Sequence, residues 1–204
     1  MTNAQPVTAK GRETRGRIVR AAAELVAERG VAGTSLDDVR GRAHVSKSQL
    51  YHYFADRDDL MRAVARAASD EVVGGQTDLF AQADTLDGLH AWTDALVSLQ
   101  QVRKATGGCP IGSLAGQLAE RDEGARLELV DGMDRWEAGI RVGLEKMAAR
   151  GELRPDADPA ALAQRTLAAV QGGLLLTQIR RDPAQLRAAL DGALEAIVAA
   201  RVVP

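Results

Sequence analysis

Ser46-Lys47-Ser48-Gln49-Leu50-Tyr51-His52-Tyr53-Phe54 is the stretch on which the fold turns. Ser46 with Gln49 three residues on is a capping-box pattern, the mark of a helix start. Leu50 and Phe54 stand four apart and form an inward stripe. Lys47, Ser48, Gln49, Tyr51 and His52 are then left facing mostly outward. Just upstream, Ser35 and Asp38 repeat the capping pattern and open a brief helix that buries Leu36 and Val39 and ends near Ala43. Two short helices separated by about three residues are a helix-turn-helix. The outward residues at the start of the second helix are those that a recognition helix presents to phosphates and base edges. Tyr51, Tyr53 and Phe54 are half of the six aromatic residues in the chain. A protein so poor in aromatics normally places them in its core.

Outward from this segment, nearly every stretch has helical spacing. Ile18, Ala22, Leu25 and Val26 form the buried face of a first helix, which Gly30 stops. Asp56 caps a fourth helix holding Leu60, Met61, Val64 and Ala67, which ends near Gly74-Gly75. Further helices are predicted over 86–105, 110–121 and 125–150. Asp158-Pro159 and Asp182-Pro183 each place aspartate at the N-cap and proline at N1 of a late helix. Leu174-Leu175-Leu176 leaves the first of these without a polar face, which predicts burial on more than one side. Gly172-Gly173 in its middle predicts a close backbone approach. The class is all-α, with about nine helices. A three-helix head with the helix-turn-helix occupies residues 1–56. A helical body occupies 57–204, joined through a helix from about 57 to 73.

Composition narrows the function. Of 204 residues, 46% are hydrophobic, enough for a core. Residues 1–56 carry nine Lys/Arg against six Asp/Glu, whereas 57–204 carry 17 against 22. A basic head on an acidic body points to a polyanionic partner. The single cysteine, Cys109, permits no internal disulfide, and a reducing cytoplasm is the expected compartment. Met1 to Lys10 holds no apolar stretch of the signal-peptide kind, and no apolar run reaches membrane-spanning length. Three histidines, no HExxH and no glycine-rich phosphate loop argue against an enzyme; no catalytic residue, metal or cofactor is expected.

Thr34-Ser35-Leu36-Asp37-Asp38-Val39, Val45-Ser46-Lys47, Leu50-Tyr51-His52-Tyr53-Phe54 and Asp58-Asp59-Leu60 together resemble the N-terminal domain of the TetR family. The motif covers about a quarter of the chain. The resemblance implies a helical homodimer that binds double-stranded operator DNA and releases it when a small molecule enters the C-terminal domain. It also implies that Lys47, Ser48, Gln49 and His52 approach bases, with Tyr51 and Tyr53 on phosphates or thymine methyls. Thr34 and Arg57 stand where the family contacts the DNA backbone. Packing against the first helix is the rival role for Tyr51 and Tyr53, plain solvation for His52, and engagement in its own capping box for Gln49. The family usually has glycine in the turn where this chain has His44, so a left-handed histidine or a reshaped turn is expected.

In the body, Trp92, Leu96, Leu99, Cys109, Ile111, Leu114, Met133, Trp136 and Ile140 form apolar stripes that serve either as plain core or as the lining of a pocket. The resemblance favours a pocket, for an apolar or weakly polar ligand. Cys109 before Pro110 is an N-cap candidate; a helix dipole would lower its thiol pKa and suit redox or electrophile sensing, against the plainer role of a small hydrophobe. Leu167, Val170, Leu174, Leu190, Leu194 and Ile197, on the last two helices, are assigned to a two-fold dimer interface, with a buried central helix as the plainer alternative. A DNA-binding regulator with no effector is the alternative function.

Overall fold

The computed structural model describes residues 8–202. Among these are ten helices and, outside them, one isolated antiparallel bridge between Leu153 and Arg201. The helices are α1 (Ala9–Arg29), α2 (Leu36–Ala43), α3 (Lys47–Tyr53), α4 (Arg57–Gly74), α5 (Thr77–Gln82), α6 (Leu86–Val102), α7 (Pro110–Leu118), α8 (Glu123–Ala149), α9 (Pro159–Arg180) and α10 (Ala184–Ala199). The all-α class is as expected. The helix beyond the expected nine is α5, whose six residues are too few to show a periodic stripe.

Local signals set most of the boundaries. Thr8 Oγ1 accepts from the Gly11 N–H at the start of α1, and Gly30, at φ 74°, ends it. Asp56 Oδ1 accepts from the Asp59 N–H at the head of α4. Asp158 caps α9, accepting from the N–H groups of Ala160 and Ala161, with Pro159 in the first turn. The twin signal at Asp182-Pro183 works one residue later than expected. Pro183 itself is the N-cap of α10, while Asp182 Oδ1 accepts from the Ala184 N–H. The expected 86–105 helix stops at Val102, because Lys104 and Ala105 adopt positive φ.

The chain forms two compact units: residues up to Glu71 with Ser113–Gly132, and Val72–Gly112 with Met133–Pro204. This division follows contacts rather than the linear boundary at 56/57 read from the sequence, and α4, α7 and α8 each run from one unit into the other.

The first unit is built on Ile18, Ala22, Leu25 and Val26 of α1, Val39 of α2, Leu50 and Phe54 at α3, and Leu60, Met61 and Val64 of α4, all buried. Polar ties add to this core. Arg62 donates to Asp122 (3.0 Å) and Arg66 to Glu128 (2.8 Å). In the second unit α9 packs along α10, and α6 against α5 and α10. A Cβ placed on Gly173 would lie 2.8 Å from Leu186 Cδ1 and 3.0 Å from Leu186 Cα, so α10 approaches the α9 backbone there as expected; at Gly172 the space is open. The triple leucine departs from its expected burial. Leu174 is buried, but Leu175 and Leu176 are exposed.

Candidate nucleic-acid interface

Both capping boxes form. The Asp38 N–H donates to Ser35 Oγ (3.1 Å) while the Ser35 N–H donates to Asp38 Oδ2 (3.1 Å). The Gln49 N–H donates to Ser46 Oγ (3.2 Å) while the Ser46 N–H donates to Gln49 Oε1 (2.9 Å). Between the helices His44 takes the left-handed conformation, φ 51° and ψ 51°, and its N–H turns back to the end of α2. Of the two possibilities at this turn, the chain adopts the left-handed histidine. Val45 is buried next to it and anchors the turn.

Leu50 and Phe54 are buried, which fixes the rotation of α3. Lys47, Ser48, Gln49, Tyr51 and His52 are exposed, Tyr51 to 47%, and Tyr53 is half-buried with its ring edge-on to His52 at 4.9 Å. The Lys47 ammonium lies 6.0 Å from the centre of the Tyr51 ring. Arg15 of α1 is over Phe54 (5.0 Å), and Arg17 Nε donates to the Ala43 carbonyl (3.0 Å), so two α1 arginines hold the helix-turn-helix. Arg42 is paired with Glu24 and Glu28.

Two residues assigned to the DNA backbone are otherwise engaged. Thr34 is only 2% exposed, and its hydroxyl donates to the Gly30 carbonyl (2.9 Å). Arg57 donates to the carbonyls of Thr34 (Nε, 3.0 Å) and Val31 (Nη2). The guanidinium closes the α1–α2 turn, because its reach from the first residue of α4 ends on those carbonyls. The same turn is held from α7: the Val31 N–H donates to Gln117 Oε1 (2.7 Å), and a Cβ on Gly30 would stand 3.0 Å from that oxygen. Gln117 is 86 residues away in sequence, and no local pattern singles it out.

Of the candidate pocket residues, Leu114 belongs to the first unit and the others to the second. Trp92, Leu96, Cys109, Ile111, Leu114, Trp136 and Ile140 are buried, Met133 is half-buried and Leu99 is 41% exposed. Trp92 Nε1 donates to Gln76 Oε1 (2.9 Å), and its ring lies 6.0 Å from that of Phe80. Gln100 Oε1 and Trp136 Nε1 are buried without a hydrogen-bond partner. An open groove of about 390 Å³ lies elsewhere, lined by His90 of α6 and by Asp191, Leu194, Glu195, Val198 and Ala199 of α10. None of the nine residues lines it.

Cys109 stands at the start of α7 as expected, its Sγ accepting from the Gly112 N–H (3.4 Å). Burial nevertheless pushes the thiol pKa up, outweighing the hydrogen bonds from Gly112, Gln171 and Ile111. A thiol 8% exposed and held protonated is a small core hydrophobe rather than a reactive thiolate.

The six residues assigned to a dimer interface, Leu167, Val170, Leu174, Leu190, Leu194 and Ile197, are all buried within the protomer. They belong to α9 and α10, which pack along each other within the chain. The apolar residues left exposed on these helices are Leu175, Leu176 and Ile179 of α9 and Val198 of α10.

A short helix locked at its start by a capping box, anchored by Leu50 and Phe54 and polar on its outer side, completes a helix-turn-helix of the kind found in DNA-binding regulators. Comparison with known proteins agrees. Residues 18–64 match the model of bacterial regulatory proteins of the tetR family, and residues 85–193 match that of the tetracyclin repressor-like C-terminal domain. The chain belongs to the TetR family of DNA-binding transcriptional regulators.

It is 28% identical over 175 residues to an uncharacterized HTH-type transcriptional regulator of Lactococcus lactis, covering 84% of this chain and 86% of that one. It is 24% identical over 200 residues to the HTH-type transcriptional repressor DhaR of a Mycobacterium species, covering 90% and 92%. A TetR transcriptional regulator of Chloroflexus aurantiacus has a similar structure, with a TM-score of 0.77 at 28% identity over 96% of this chain and 100% of that one. Among the described residues no helix is long and apolar enough to cross a membrane.

Proposed function

We propose that this regulator is a repressor that binds an inverted-repeat operator as a homodimer, reading one half-site with α3 of each copy. The observation that carries the reading is the division of α3: Leu50 and Phe54 are buried, and Lys47, Ser48, Gln49, Tyr51 and His52 are presented outward from a capped, immobilised turn. Residues 1–56 then do the DNA binding and 57–204 the dimerisation and ligand binding, in the cytoplasm where the DNA is. A repressor among the relatives supports the sign of regulation. Leu175, Leu176 and Ile179 lie on one side of α9, and exposed apolar clusters of this kind mark association surfaces.

The effector is a weakly polar small molecule taken up by the second unit. The support is that buried polar atoms of this unit, Gln100 Oε1 and Trp136 Nε1 among them, have no hydrogen-bond partner. Because α4, α7 and α8 are continuous between the units, a ligand that favours one shape of the second unit biases the spacing of the two α3 helices. DNA accepts that spacing only near one helical turn, roughly 34–36 Å, or its multiples.

Genome-wide mapping of bound DNA supplies the operator, and fluorescence anisotropy measures its affinity. Lys47→Ala and Tyr51→Ala should weaken operator binding while leaving the circular dichroism unchanged, and affinity should fall steeply with salt. Wild-type affinity in both variants would refute the assignment of α3.

A further inference from the structure

We infer that Gln49 reads DNA chiefly as a hydrogen-bond donor, so that the base it meets in each half-site is the one richest in acceptors, guanine, ahead of adenine. The inference rests on α3 being the reading helix. It concerns which chemistry that helix brings to the groove.

Glutamine is versatile because its amide ends in one acceptor and one donor, and the bidentate match to adenine uses both: Oε1 accepts from N6–H while Nε2 donates to N7. In this chain the two ends are not equally free. The Ser46 N–H points at the Gln49 amide, 2.9 Å from Oε1. A backbone N–H has only a hydrogen to offer, so the atom facing it is the oxygen; the amide cannot be turned over without placing donor against donor. The Gln49 N–H, donating to Ser46 Oγ at 3.2 Å, closes the box from the other side. With Oε1 turned back to the start of its own helix, the NH₂ group is the end left for a partner, on an exposed side chain. Swinging Oε1 out to meet adenine would open the capping box.

The neighbours reinforce this polarity. Lys47 carries only donors. Ser46 Oγ is engaged by the Gln49 N–H and lies 3.0 Å from Ser48 Oγ. From Lys47 to Tyr53 there is no carboxylate. With a lysine and no carboxylate, this surface meets the acceptor-rich edge of guanine, N7 and O6, favourably, and it offers no anionic acceptor to the N4–H₂ donor of cytosine. Thymine O4 offers a single acceptor and stands between.

Gln49→Glu tests the inference because glutamate is itself a regular third-position partner in capping boxes. The variant keeps an oxygen for the Ser46 N–H, while its outward atom becomes an acceptor. Wild type, Gln49→Glu, Gln49→Ala and Lys47→Ala are each selected on a random-sequence duplex library at low salt. Relative affinities are then measured on operators varied one base at a time, with thermal melts alongside.

The expected result is a preference for guanine over cytosine on the order of ten-fold or more in wild type at one base of the half-site. That preference should be lost in Gln49→Ala at that base alone and reversed towards cytosine in Gln49→Glu, with the melting temperature of the latter retained. Adenine preferred over guanine at the base that Gln49→Ala relaxes would overturn the inference, since a bidentate match to adenine uses the amide oxygen as well. Unchanged preferences in both Gln49 variants, with binding lost in Lys47→Ala, would overturn it while leaving α3 as the reading helix. Wild-type behaviour in all three variants would remove both.

Discussion

Replacing His44 with glycine relieves a strain that the backbone angles display directly. His44 sits at φ 51° and ψ 51°, in the αL region that closes α2, with its N–H directed to the carbonyls of Arg40 and Gly41. A side chain in that region costs about 1–2 kcal/mol relative to glycine, toward the low end for histidine, which tolerates it better than most. Glycine avoids that cost but gives the unfolded chain more freedom, which returns roughly 0.5–1 kcal/mol. The His44 side chain is exposed, so its removal uncovers no buried surface. The net expectation is a gain of about 0.5 kcal/mol, which in a chain of this size is a rise in Tm of roughly 1–2 °C.

His44→Val is the matched control. A β-branched residue at positive φ is a true outlier, and a loss of about 1–2 kcal/mol is expected. The assay is thermal and urea denaturation of the full chain, with the stability order Gly above His above Val. Equal stability of the glycine and valine variants would refute the strain argument. Operator affinity of the glycine variant, measured separately, reports whether the imidazole also touches DNA.

Three further outcomes follow from other contacts. Gln117→Leu removes the acceptor of the Val31 N–H and should cost roughly 1–3 kcal/mol by urea denaturation, whereas Gln117→Glu, which still accepts, should retain most of the stability. Asp122 accepts from Arg62 (3.0 Å) and from the Ala125 N–H (2.8 Å), and chiefly the Arg62 hydrogen bond holds its carboxyl below the ordinary value. A depressed folded pKa contributes stability that is complete above the unfolded value, about 3.9, and lost as pH falls through the folded one. The stability difference between wild type and Asp122→Asn should therefore be level from neutral pH to about 5 and shrink on further acidification; a difference that grows on acidification would contradict the ion pair. Ile179→Asp, at a residue 67% exposed, should lower the sedimenting mass to that of a monomer without unfolding, whereas Leu190→Asp, at a buried residue, should unfold the chain. A monomeric wild type, or a dimeric Ile179→Asp, would dismiss α9 as the interface.

Much of this protein was legible in its sequence because the signals were local. Ser35 with Asp38, Ser46 with Gln49, and Asp158 with Pro159 act within three residues of themselves, so spacing alone places the start of a helix. The stripe of Leu50 and Phe54 determined which side of α3 is buried, and with it the outward set from Lys47 to His52. Histidine at position 44, where the family usually has glycine, narrowed the turn to a left-handed histidine or a reshaped loop, and the fold adopts the first.

What lay beyond reach was decided by partners distant in the chain. Thr34 and Arg57 are polar residues beside a DNA-binding motif, and only the folded turn shows them bonded to Gly30, Val31 and Thr34. The stripes of α9 and α10 are alike as patterns, whether they meet each other or a second copy. Packing buries Leu167, Val170 and Leu190 within the protomer and leaves Ile179 outside. For Cys109 the competition is between a helix start that lowers a thiol pKa and burial that raises it; burial, a property of the whole fold, prevails. The sequence by itself determined where most helices begin and which side of the reading helix is polar. The tertiary structure decided which of those polar groups remain free, because a hydrogen bond taken up inside the protein is no longer available to DNA.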